Sequence, residues 1–241
     1  MVIAISVGSC YDLKLERNDT IRFIQKYSDK INGIELLFAT PKELLAFEFD
    51  KDTLNFVRSL DFVSIHMPVI DAEYKNDSET KKVIAKATAI YKSVKAEYLV
   101  FHPNTIKDYS ILNWNLTNCV ENLNSKEYNQ GFQTVTEMRT LLEQNTGLKL
   151  VLDTCHMLEA KINPAEFLEL KDYVKGIHLA VQWKQGERIR THGFLQENPE
   201  QLEQIKPLLK LDVPKIIESD FYPEKVSLIE KELDLIKKLS K

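Results

Sequence analysis

Long apolar runs are missing from this chain. None approaches the roughly 18 residues that a membrane-spanning helix needs. The N-terminal run, Val2–Val7, has no basic segment before it and no small-residue cleavage site after it, so it reads as a strand and not as a secretory signal. Cysteine is scarce: Cys10, Cys119 and Cys155 are an odd number without framework spacing, which points to reduced thiols and a cytoplasmic protein. A dominant charge is lacking too. The net charge of -4 offers no overall attraction to nucleic acid, although a local basic patch can still bind phosphate. Gly/Ser linkers and low-complexity segments are absent. What remains, 241 residues of which 44% are hydrophobic, is about the length and core of one (β/α)8 barrel, so a single domain over 1–241 is expected. Neither a membrane nor an obligate protein partner is implied.

Short β-branched or aromatic runs alternate with longer amphipathic stretches, the pattern of repeated βα units around a parallel sheet. Strands are predicted at Val2–Val7, Gly33–Phe38, Phe62–His66, Tyr98–His102, Thr117–Asn122, Lys149–Asp153, Gly176–Leu179 and Lys215–Glu218. Helices are predicted at Glu16–Lys30, Pro41–Ser59, Ser78–Lys95, Asn129–Gln144, Pro164–Asp172, Pro199–Leu209 and Pro223–Leu239, several opening with proline at the first helical position. Pro103 to Leu116 leaves room for only a turn or two, so the fourth helix is expected to be short or missing.

All five histidines fall at the end of a predicted strand or just beyond one: His66 in SIHMP, His102 in VFHPN, His156 in LDTCHM, His178 in GIHLA and His192 in RTHGF. Carboxylates take matching places, Glu121 in CVEN, Asp153 in LDTCH and Glu218 in IIESD. In a (β/α)8 barrel these ends converge on one mouth, where such enzymes place their sites. A lone histidine after a strand is more often a hydrogen-bonded core residue, yet that account does not explain why the long helices hold none. Imidazole and carboxylate together suit zinc and tolerate manganese, cobalt or iron. A shared metal site is therefore expected. Glu35 in GIELLF is a candidate substrate contact, with surface solvation as the alternative. Cys155 reads as a small buried residue packed behind the site. Lys184, Arg188 and Arg190 form a basic loop suited to phosphate, within which Trp183 can stack on a base or sugar.

These residues resemble the xylose-isomerase-like barrels, and among them the family 2 AP endonucleases, the endonuclease IV group. LVLDTCHM is similar to that group's LDTCH signature, with support from FHPN, CVEN, KGIHL and the glutamate of IIES. The resemblance implies two or three zinc ions. His66, His102 and Glu121 would hold the first; Glu121, Asp153, His178 and Glu218 the second, with Glu121 and a hydroxide between them; His156 and His192 would belong to a third. Where the family has an aspartate two residues before the histidine matched to His192, this chain has Arg190, so the third position lacks its carboxylate. Glu35 in GIEL is closer to the sugar isomerases.

Two functions follow. The first is a metal-dependent phosphodiesterase cutting DNA at abasic sites through a metal-bridging hydroxide, with Glu121 catalytic. The second is a sugar or sugar-phosphate isomerase or epimerase, in which one cation on Glu121, Asp153, His178 and Glu218 polarises substrate while His66 and His102 touch its hydroxyls. The eight ligand candidates favour the first; Glu35 and Arg190 speak for the second.

Overall fold

A computed structural model describes residues 1–124 and 131–240. Eight parallel strands close into a barrel: β1 (Ile3–Ser6), β2 (Gly33–Leu37), β3 (Phe62–His66), β4 (Tyr98–Phe101), β5 (Asn118–Glu121), β6 (Lys149–Asp153), β7 (Val174–Leu179) and β10 (Lys215–Ile217). The ring runs β1-β10-β7-β6-β5-β4-β3-β2, and the pairing of Ile3 with Lys215 closes it. The fold class and all eight strand positions agree with the sequence reading. Two further strands, β8 (Val181–Gln185) and β9 (Arg188–Gly193), form an antiparallel hairpin outside the barrel.

Side chains alternate faces along each strand, and that period sorts the core into two. Outside, Ile5, Ile34, Leu36, Val63, Ile65, Leu99, Phe101, Val120, Leu150, Leu152, Ile177 and Ile217 pack against the surrounding helices. Inside, Ala4, Phe62, Tyr98, Val100, Cys119, Val151 and Ile216 form a separate apolar plug. Two residues further along the same strands stand Ser6, Ser64, Glu121, Asp153 and Glu218, and His66 and His102 continue the phase from Phe62 and Val100. Thus the plug is the floor of the mouth. Gly176 belongs to this inner layer: a Cβ there would collide with the Tyr98 hydroxyl oxygen, so only glycine lets that large ring lie across the barrel.

Helices α1 (Arg17–Gln25), α2 (Pro41–Ala46), α3 (Lys51–Ser59), α4 (Ser78–Val94), α5 (Val135–Gln144), α6 (Thr154–Glu159), α7 (Pro199–Leu209) and α8 (Ile229–Leu239) sheathe the barrel. The single helix expected over Pro41–Ser59 is two, because Asp50 accepts from the backbone N–H groups of Asp52 and Thr53 and so caps a new start. Phe47 and Phe49 turn together in the break, their ring centroids 4.7 Å apart. Pro164–Tyr173 and Pro223–Leu228 are 3₁₀ segments where α-helix was expected. Asn129 and Gln130, at the start of the expected fifth-connection helix, lie outside the described residues. After β4 only two 3₁₀ turns follow, Pro103–Thr105 and Tyr109–Ile111, so the fourth helix is missing as anticipated. Among the described residues no helix is long and apolar enough to cross a membrane.

Candidate metal centre

Glu121 is the hub. It ends β5 with 1% exposure, and four imidazoles face its carboxylate. Its Oε2 lies 3.1 Å from His66 Nε2, 3.6 Å from His102 Nε2 and 3.3 Å from His178 Nδ1, while Oε1 lies 3.0 Å from His156 Nδ1. The rings of His66 and His156 are aimed by their other contacts. His66 Nδ1 donates to the Met67 carbonyl at 3.0 Å, which turns Nε2 inward. His156 is fixed by α6: Asp153 caps that helix, accepting the His156 backbone N–H at 2.7 Å, and His156 Nδ1 donates to the Asn122 carbonyl at 2.9 Å. Asn122 in turn donates to the Asp153 carbonyl at 3.0 Å and accepts the Asp153 N–H at 2.8 Å, locking β5 to β6 at the site.

Two overlapping ligand sets result. One oxygen or nitrogen from each of His66, His102 and Glu121 lie within 4.8 Å of one another, as do those of Glu121, Asp153, His178 and Glu218. In the second set His178 Nδ1 stands 3.3 Å from both Glu121 Oε2 and Glu218 Oε2. Asp153 Oδ2 is buried with no hydrogen-bond partner, and His178 Nδ1 is buried with only the two carboxylate oxygens at 3.3 Å before it. Orphaned polar atoms are costly in a protein interior. Here both point into a cluster of carboxylate oxygens, which is what ligand atoms prepared for a cation look like. The donor chemistry fits zinc, manganese, cobalt or iron.

The charges are strongly coupled. Burial raises the Glu121 pKa, but the charges of His178 and His102 and the bond from His156 outweigh it and hold this carboxyl well below its usual range. Glu218 is pushed the other way by burial and by Glu121, Asp153 and Glu35. His178 resists burial through Glu218, Glu35 and Glu121 and is raised well above 6.5. His156, opposed by burial, is lifted by Asp153 and Glu121 to about 10, whereas burial takes His102 down to about 3. Two imidazoles whose charged form is favoured, His156 and His178, and one whose neutral form is favoured, His102, therefore flank the same glutamate.

His156 and His192 stand apart from these sets. Their ring centroids are 6.0 Å apart, and among the described residues they join no third group of three ligand atoms. Arg190, where the resemblance calls for aspartate, is exposed on β9 and donates to Gln185 across the hairpin at 3.0 Å. His192 sits at φ 54°, an uncommon left-handed conformation. The Cys155 sulfur accepts its N–H at 3.3 Å, and its Nδ1 donates to the Glu218 carbonyl at 3.2 Å. Cys155 itself is buried, its thiol pushed up by burial and Asp153, as suits a small residue packed behind the site.

Three substrate-contact expectations need correction or refinement. Glu35 is not solvated at the surface: the alternation of β2 puts it inside the barrel, level with Ser6 and Ser64 and with no exposure, where Oε2 lies 3.1 Å from His178 Nε2 and accepts from Ser64 Oγ at 2.9 Å. Trp183 is not an open stacking face, because it is buried with the Lys225 ammonium 2.9 Å from the ring centroid and Gly193 against its other atoms. Lys184, Arg188 and Arg190 are exposed as expected, but on a two-stranded ribbon and not a loop. Sequence reasoning missed Asn122, although it stands in CVEN beside Glu121, and Asp220, whose N–H donates to the His192 carbonyl at 2.7 Å.

No family model matches the sequence, and no curated protein does. Solved structures do match in fold. The probable 3-DHS dehydratase AsbF of Bacillus anthracis superposes with a TM-score of 0.71 at 14% identity, over 98% of this chain and 99% of that one. Endonuclease IV from Thermus thermophilus gives 0.69 at 16% identity, over 99% of each chain. A D-tagatose 3-epimerase-like protein gives 0.64 at 17% identity, again over 99% of each. At these identities the likeness is one of fold alone, the closed (β/α)8 barrel.

Proposed function

We propose that this chain is a divalent-metal-dependent phosphodiester hydrolase acting on DNA at abasic sites. The observation that carries the reading is the position of Glu121, whose carboxylate belongs to both ligand sets at once. That is the layout of a dinuclear centre, in which paired cations, when bound, supply Lewis acidity to a phosphate ester and make water a nucleophile near neutral pH. Zinc is the cation that best suits the imidazole-rich first set. In this reading His66, His102 and Glu121 hold one position, and Glu121, Asp153, His178 and Glu218 hold the other. His156 orients the shared carboxylate through Oε1 and keeps its proton on Nδ1, so it steadies negative charge without competing for the cations. The exposed cations of the hairpin, Lys184, Arg188 and Arg190, would meet the phosphate backbone beside the mouth.

A second reading is favoured by one observation, the completeness of the four-residue set without His66 or His102. One cation there suffices for a sugar or sugar-phosphate isomerase or epimerase, and His66 and His102 would then bind substrate hydroxyls. The covered face of Trp183 also removes a base-stacking platform from the first reading.

Metal content and incision together separate the two. The hydrolase reading expects the metal-loaded protein to cut a duplex containing one abasic site, chelator to stop it, and His66→Ala and His102→Ala each to lose a cation along with incision. Unchanged metal content in both variants, with no incision by the loaded wild type, would reject it in favour of the isomerase.

A further inference from the structure

We propose that Glu35 is the positioning residue of the second ligand set, fixing which nitrogen of His178 faces the cation; this rests on the metal-centre reading above. The two ring nitrogens of His178 point in opposite directions. Nδ1 looks at Glu121 Oε2 and Glu218 Oε2, 3.3 Å from each. Nε2 looks down into the barrel at Glu35 Oε2, 3.1 Å away. Glu35 is held as an acceptor, because the hydroxyls of Ser64 and Ser6 also donate to it, at 2.9 and 3.3 Å. A carboxylate so bonded takes the Nε2 hydrogen and leaves Nδ1 as the ligating atom. Without it, a neutral imidazole in this place would divide between two tautomers, one of which presents an N–H to the cation.

The cost of the arrangement argues that it does more than fill space. Ionised Glu35 has no exposure to water, and burying a carboxylate is expensive unless it is paired and fully bonded. Its register neighbours are Ser6 on β1 and Ser64 on β3, and only the layer below them, with Ala4, Gly33 and Phe62, is apolar or small. Three donors from β1, β3 and β7 converge on one carboxylate, behind a ligand whose other nitrogen faces the carboxylates of Glu121 and Glu218.

The test measures cation affinity by chelator competition, and the visible spectrum of the cobalt-substituted protein, in wild type, Glu35→Gln and Glu35→Ala. The alanine variant is expected to bind its second cation about 10–100-fold more weakly, with the first little changed and the cobalt spectrum altered. Glutamine keeps a carbonyl acceptor and should fall between the two. Should the alanine variant fail to fold, ¹⁵N NMR of the zinc-loaded wild type decides: Nε2 of His178 carries the hydrogen and Nδ1 the metal. A folded Glu35→Ala with wild-type affinities and spectrum, or a His178 bound through Nε2, overturns the proposal. In that case a wild type still holding two cations leaves the metal centre standing; a wild type holding less than one removes both.

Discussion

One carboxylate oxygen facing three imidazoles makes Glu121 the residue on which the rest of the site depends. Glutamine at this position keeps the shape and loses the charge, so Glu121→Gln should lose cations from both positions and all turnover while melting close to wild type. Wild-type turnover by that variant would end its assignment as a ligand. The neighbouring histidines set the acid and alkaline limits of the metal-free chain. His156 is raised to about 10, so its imidazolium contributes stability that is fully present below 6.5 and lost as pH rises through 10. His102 is depressed to about 3, so the unfolded chain takes up its proton first and stability falls as pH drops from 6.5 toward 3. The melting temperature of the chelated protein should therefore peak near neutrality and fall on both sides; a flat profile from pH 4 to 10 would contradict these environments. The residue identities of this cluster were legible in the sequence because histidine and carboxylate at strand ends are few and conspicuous. The direction of Glu35 was not. GIELL fixes only that Gly33 and Glu35 share a face, and whether that face is barrel interior or solvent depends on the closure of the ring. Trp183 misled for a similar reason, since the lysine that covers it lies far along the chain.

At the scale of elements, the strands were readable from their apolar runs, and the missing fourth helix from the short connection after β4. The hairpin β8–β9 was not, because QWKQGERIRTHG alternates charged and polar residues with no buried face except Trp183 and Gly193. Helix α6 was hidden within the LDTCHM motif, where Asp153 acts as both strand end and helix cap. Packing in the barrel floor gives a prediction independent of function: Gly176→Ala must displace Tyr98, and should destabilise the fold by about 1–3 kcal/mol. An unchanged melting temperature would show that the ring moves freely. The hairpin offers another. Its Arg190 adds a cation near His192, so Arg190→Asp should raise cation uptake above that of wild type; equal uptake would detach His156 and His192 from any metal position.

Taken as a whole molecule, the chain is mildly acidic, and its four inner carboxylates Glu35, Glu121, Asp153 and Glu218 are gathered behind one mouth with at most 9% exposure. With all four ionised, these carboxylates would match two divalent cations in charge. Metal uptake should release protons from His178 and Glu218, both raised well above their ordinary values, so apparent affinity should climb with pH. The fold sets this convergence, and fold alone fixes no chemistry. Elemental analysis of protein purified without chelator and equilibrated with zinc tests the central claim most directly. Two ions per chain are expected, falling below one in Glu121→Gln; less than one ion per chain in the wild type would contradict the account.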